Sequence, residues 1–170
     1  IDGVSKIFES YNTVIVFEDD LMCSSDCLIF LNEGLKYHAT HPHIFSISAY
    51  APSIDIPTNY SYDTYLAPRF SSWGWATWKD RWEKVDWTIH DYQTFISDNK
   101  LIKAFNTGGN DATAMLIKYM HKKNQSWAIR FNYARYKHNA YTIYPILSKI
   151  ENIGDDGSGT HIKKTNKFKT

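Results

Sequence analysis

Hydrophobic positions along this chain switch between short unbroken runs and stripes at helical spacing, a pattern that predicts an α/β fold. Residues 2–11 carry Val4, Ile7 and Phe8 on one face and read as a helix capped by Asp2. Val14, Ile15, Val16 and Phe17 follow without interruption. A run so rich in β-branched residues predicts a strand covered on both faces, as in a parallel sheet. Residues 24–38 read as a helix capped by Ser24 or Ser25, with Leu28, Leu31 and Leu35 on one face. Residues 44–50 read as the next strand. Residues 51–62 hold Pro52, Asp55, Pro57 and Asn59 and read as a surface loop. Residues 64–67 form a short strand stopped by Pro68. Trp75, Trp78 and Trp82 recur at three and four, which predicts one buried helical face.

The second half is patterned less evenly. Residues 91–105 are mostly polar, anchored by Phe95, Ile96, Leu101 and Ile102. After NTGGND at 106–111, Ala112, Met115, Leu116 and Tyr119 make a helical stripe, with Lys118, Lys122 and Lys123 near its C-terminal end. Residues 125–139 fit both templates in part and lean to helix. Residues 141–144 predict a strand before Pro145. In ENIGDDGSGTH, at 151–161, three glycines argue for a closely folded loop. Residues 162–170 carry four lysines and read as a frayed basic tail.

Composition narrows the function classes. A chain of 170 residues with 43% hydrophobic content can bury one domain's core. A net charge of +1 gives no general pull toward nucleic acid or a membrane surface. No run is long enough to span a bilayer. Cys23 and Cys27 are the only cysteines; four apart on the expected helix, they would share a face as core filling, which suits a reducing cytoplasm. Aromatic residues make up 16%, six of them Trp, and flat rings with polar edges suit a groove that handles sugars.

Three stretches carry candidate chemistry. Glu18, Asp19 and Asp20 follow the first apolar strand at once. Carboxylates crowded at the edge of a core are tolerated most easily around a cation, and their oxygens suit Mg2+ or Mn2+. The other reading is an acidic loop capping the next helix. Trp73 lies between Ser72 and Gly74, where a glycine permits close backbone approach or a positive φ. Asp111 opens the helix after Gly108, Gly109 and Asn110. Acids are favoured at a helix start whatever the function, but a glycine loop also lets such an acid reach a cleft as a general base. His38, His41 and His43 surround Pro42 and read as a solvated turn rather than a metal cluster.

In order, EDD after an apolar strand, SSWGWATW, Asn-Asp opening a helix and NIGDDGSGTH resemble metal-dependent glycosyltransferases of the GT-A fold, above all the N-acetylglucosaminyltransferase I group and related bacterial sugar transferases. The resemblance covers residues 1–161 and implies a GT-A-like mixed sheet flanked by helices. It implies that Asp20 binds Mn2+ (or Mg2+) on a nucleotide-diphosphate sugar. Glu18 and Asp19 are then ligands of metal waters, ribose and donor sugar. Asp111 is the implied base, beside Asn110. Trp73, Gly74 and Trp75 line the donor sugar and acceptor, and Gly157, Gly159 and His161 close a flap over the diphosphate. The implied reaction moves a sugar to the hydroxyl of a glycan or lipid-linked acceptor with inversion, in polysaccharide synthesis. The implied location is the cytoplasm or the inner face of the membrane. In this fold class the triplet normally follows a nucleotide-binding half on the order of 100 residues long. Residues 1–161 are therefore expected to be the C-terminal portion of a larger catalytic domain, with a sheet edge exposed to self-association. A carbohydrate-binding module and a metal-dependent phosphohydrolase using Asp155 and Asp156 are the alternatives.

Overall fold

The structure is a computed structural model and describes residues 1–153. The elements are α1 (Asp2–Ile7), β1 (Thr13–Val16), β2 (Leu21–Cys23), α2 (Cys27–Tyr37), β3 (Ile44–Ser48), β4 (Thr64–Ala67), β5 (Trp75–Trp78), α3 (Lys79–Trp82), α4 (Tyr92–Ile96), α5 (Asn99–Phe105), a 3-10 turn (Asn106–Gly108), α6 (Ala112–Met120), α7 (Trp127–Lys137), β6 (Tyr141–Pro145) and β7 (Ile150–Asn152). They form a mixed α/β fold with a mixed sheet flanked by helices. Among the described residues no helix is long and apolar enough to cross a membrane.

The main sheet has five strands in the order β1-β5-β3-β6-β4. Only β3 and β6 pair in parallel; the other three pairs are antiparallel. It follows that β1, β3 and β6 run one way, and β5 and β4 the other. A second sheet pairs β2 with β7, Leu21 opposite Asn152 and Cys23 opposite Ile150. The expected strand buried on both faces proves to be an edge strand: β1 is half-exposed along most of its length. Its apolar run reflects partial cover by two clusters, Ile15 against one and Val14 and Val16 against the other. The strands buried on both sides are β3 and β5, where every residue is buried.

Each face of the sheet has its own core. On one, Cys27, Leu31 and Leu35 of α2 pack against Ile44, Ile47, Ala76, Trp78 and Ile143. On the other, Phe131 and Ala134 of α7 pack against Phe45, Phe70, Trp75 and Trp82. Beyond α7, helices α4, α5 and α6 enclose a third cluster around Phe95, Phe105 and Leu116.

Three expectations are corrected here. Trp75 and Trp78 sit on a strand, not a helix, so an odd spacing sends them to opposite faces and into different clusters. Only Trp82 is helical, in the short α3. In α2 the slot four before Leu31 is filled by Cys27, leaving Leu28 exposed, and the cap position falls to Asp26. Cys23 therefore lies in β2, exposed, while Cys27 is buried at the helix start. At the N-terminus Ile1, not Asp2, occupies the cap position of α1.

Gly74 opens β5 with φ +57°, as a glycine between two tryptophans suggested. A Cβ there would lie 3.1 to 3.3 Å from Phe17, Ile150 and Ala49. Gly74→Ala combines a left-handed backbone with crowding and should cost about 1–3 kcal/mol. Urea denaturation of the purified chain checks this; an unchanged midpoint would refute it.

Candidate functional site

Four segments meet at the sheet end where β1, β3 and β6 finish. Phe17 leads out of β1 toward Glu18. The Gly74 carbonyl accepts from the Ala49 amide at 2.7 Å, joining the turn before β5 to the end of β3. Lys149 donates its amide to Ala49 O at 2.8 Å, which brings the chain from β6 past the same point into β7. In sheets with same-direction strands, this is the end where ligands bind.

The acidic triplet bridges the two sheets. Asp19 and Asp20 form the turn between β1 and β2. The Asp20 carbonyl accepts from the Ile153 amide at 2.9 Å, and Asn152 Nδ2 donates weakly to Asp20 Oδ2 at 3.4 Å. The other carboxylate oxygen, Asp20 Oδ1, is enclosed and has no hydrogen-bond donor among the described residues. A buried carboxylate oxygen without a donor is costly, and a cation relieves that cost. Burial, then the charges of Asp20 and Asp19, push the Glu18 carboxyl above its usual range. Among the described residues no three His, Cys, Asp or Glu side chains converge as a ready metal cage. A carboxylate oxygen is the kind of donor that a hard divalent ion takes.

The raised Glu18 carboxyl has a consequence for stability. The folded protein holds this proton more tightly than the unfolded chain does. Stability should therefore fall as pH rises above the ordinary value near 4.5 toward the raised one. Urea midpoints measured across that window should decline in the wild type relative to Glu18→Gln; parallel curves would refute the coupling.

Trp73 and Tyr50 stand edge to face beside this end, ring centroids 4.9 Å apart, and both are partly exposed. Trp75, expected beside them, is 1% exposed and stacks instead among Phe70, Trp82, Trp127 and Phe131.

Asp111 belongs to a different part of the surface. Its carboxylate is gripped by Arg69, Nη1 donating to Oδ1 at 2.7 Å and Nη2 to Oδ2 at 2.9 Å. Arg69 Nη1 also donates to Gly108 O at 3.2 Å. Partnership with Asp111 raises the Arg69 pKa further. The glycines make the grip possible. A Cβ on Gly108 would lie 1.9 Å from Pro68 O, and one on Gly109, at φ +145°, would lie 2.1 Å from Arg69 Nη1. The Arg69 carbonyl accepts from Tyr144 Oη at 3.1 Å, so Arg69 lies over β6. Three strand spacings, roughly 14 Å, separate β6 from β1.

The structure thus joins Asp20 to Asn152 and the Gly74 turn to the strand ends, and joins Asp111 to Arg69. Sequence reasoning missed Arg69, Tyr50 and Asn152. For Arg69 a signal existed: a cation directly after Pro68, inside an aromatic stretch. The glycine-rich segment was expected to be irregular from 151 onward, but Glu151 and Asn152 belong to β7. Gly157, Gly159 and His161, with Asp155, Asp156 and the basic tail at 162–170, lie outside the described residues.

No protein-family model matches this sequence, and no curated protein matches it.

Proposed function

We propose that this chain carries the metal-binding and acceptor-side parts of a GT-A-like glycosyltransferase, acting on a nucleotide-diphosphate sugar. The observation that carries this reading is Asp20: a carboxylate in the turn after β1, one oxygen enclosed without a donor among the described residues, beside the residue that opens a glycine-rich segment. Bound there, Mn2+ or Mg2+ supplies Lewis-acid neutralisation of the diphosphate leaving group.

The chain's own residues then divide the work. Glu18 and Asp19 orient the donor around Asp20. Trp73 and Tyr50 offer ring faces and edges to a sugar, a use consistent with their partial exposure. Asp111 takes the proton from the acceptor hydroxyl as its oxygen bonds to the anomeric carbon and the bond to the diphosphate breaks. Attack opposite the leaving group inverts that carbon. Arg69 donates once to each Asp111 oxygen, which orients the carboxylate and leaves a further lone pair on each oxygen to receive the acceptor's proton.

The test is a panel of nucleotide sugars scored by thermal stabilisation with and without Mn2+. A ligand at a hundred times its dissociation constant stabilises by about 2.7 kcal/mol. At least one donor should stabilise the protein only when Mn2+ is present. A panel with no metal-dependent member would overturn the reading.

A further inference from the structure

Next to Asp111 lies a cleft of about 570 Å3, lined by Asn99, Ile102, Lys103, Asn106, Thr107 and Asn110. The volume falls within the range of small-molecule sites, about 300–1,000 Å3. Its walls come from α5, the 3-10 turn and the residue that immediately precedes Asp111. The lining is unusually rich in carboxamides. Asn106 Oδ1 is committed, accepting from the amide and the hydroxyl of Thr113 at 3.0 and 2.9 Å. Its Nδ2 and the side-chain amides of Asn99 and Asn110, both exposed to solvent, have no hydrogen-bond partner among the described residues. Paired donors and acceptors of this kind match vicinal hydroxyl groups. Lys103 is the only charged residue lining the cleft, and its ammonium has no ion-pair partner among the described residues. The nearest carboxylate in sequence, Asp98, caps α5 by accepting from the Lys100 amide at 2.7 Å, and Asp111 is paired with Arg69.

We propose that this cleft binds the acceptor, and that the acceptor is an anionic, polyhydroxylated glycan whose acidic group is read by Lys103. The inference rests on the assignment of Asp111 as the base. The carboxamides grip the hydroxyl groups, Ile102 offers the apolar patch that a sugar ring covers, and Lys103 selects for charge. Occupancy presents a hydroxyl to Asp111 past Asn110.

A hexuronate-containing tetrasaccharide and its carboxyl-reduced counterpart serve as probes, with binding measured by amide chemical shifts on the full chain. The uronate form should bind at least tenfold more tightly than the reduced form, since a charge-assisted hydrogen bond is lost. Lys103→Gln should remove that difference. Lys100→Gln, with the same charge change outside the cleft, should retain it. The shifts should centre on 99–110, and Asp20→Ala should leave them unchanged. Absence of binding, equal affinity for the two probes, or equal weakening by the two lysine variants would overturn the proposal. Saccharide binding here in a protein that fails to take up nucleotide sugar would still support the cleft and remove only the transfer reading. Mn2+-dependent donor binding without saccharide binding would remove only the cleft.

Discussion

Asp20→Ala is expected to abolish the metal dependence of nucleotide-sugar binding. Among the described residues the wild-type carboxylate has one enclosed oxygen without a donor and another held at 3.4 Å by Asn152. It is therefore under-used by the protein and available to a cation. Removing it leaves Glu18 and Asp19 to hold the ion through water alone. Hydrogen bonds and contacts to an ion of this charge exceed those between neutral groups, so the loss in Mn2+ affinity should reach about a hundredfold or more. The folded protein should not suffer, because the carboxylate's removal also removes one of the two charges that, after burial, raise the Glu18 carboxyl. Calorimetric titration of Mn2+ in the presence of nucleotide sugar separates these effects. Undiminished Mn2+ affinity in the variant would show that the triplet is an acidic turn and nothing more. Asn152→Ala is a useful companion. It removes a weak contact to the same carboxylate and should change metal affinity far less.

Local pattern and distant pairing explain why some of this was legible in the sequence. Strands β4 and β6 were foreseeable because Pro68 follows the first and Pro145 closes the second, whereas α7 fitted both templates in part and its Ser126 cap emerges only in the structure. The amphipathic stripe of α6 was equally clear. Strand β5 was misread because its four residues are all buried, so no alternation marked it, and two tryptophans three apart imitate a helical face. Strand β2 is three residues long and mostly exposed, and it exists only because β7 pairs with it. The contact between Asp20 and Asn152 spans 132 positions. Nothing in the periodicity of either segment announces it, although each had been singled out on its own chemistry. Arg69 and Asp111 are likewise 42 positions apart. The acid was visible as a helix start; that a guanidinium would occupy both its oxygens was not.

That pairing sharpens the expectation for Asp111→Asn. Asparagine preserves size and one acceptor oxygen, so Arg69 can keep a single contact and the loop at 106–110 can keep its shape. What is lost is the capacity to take a proton. A positioned general base is worth about 10²–10⁴-fold in rate. Turnover by a catalytically competent form containing this chain should fall by that factor, with donor affinity nearly unchanged, because Asp20 and its neighbours lie some three strands away. Arg69→Met provides the contrast. It frees both oxygens of Asp111 but removes their anchor, so turnover should fall less than in Asp111→Asn while the acceptor's KM rises. Steady-state kinetics with donor and acceptor varied separately distinguishes the two patterns. If Asp111→Asn reduced donor affinity and turnover equally, the residue would be holding α6 to the segment after β4, and the bidentate pair would be a structural clasp with no part in proton transfer.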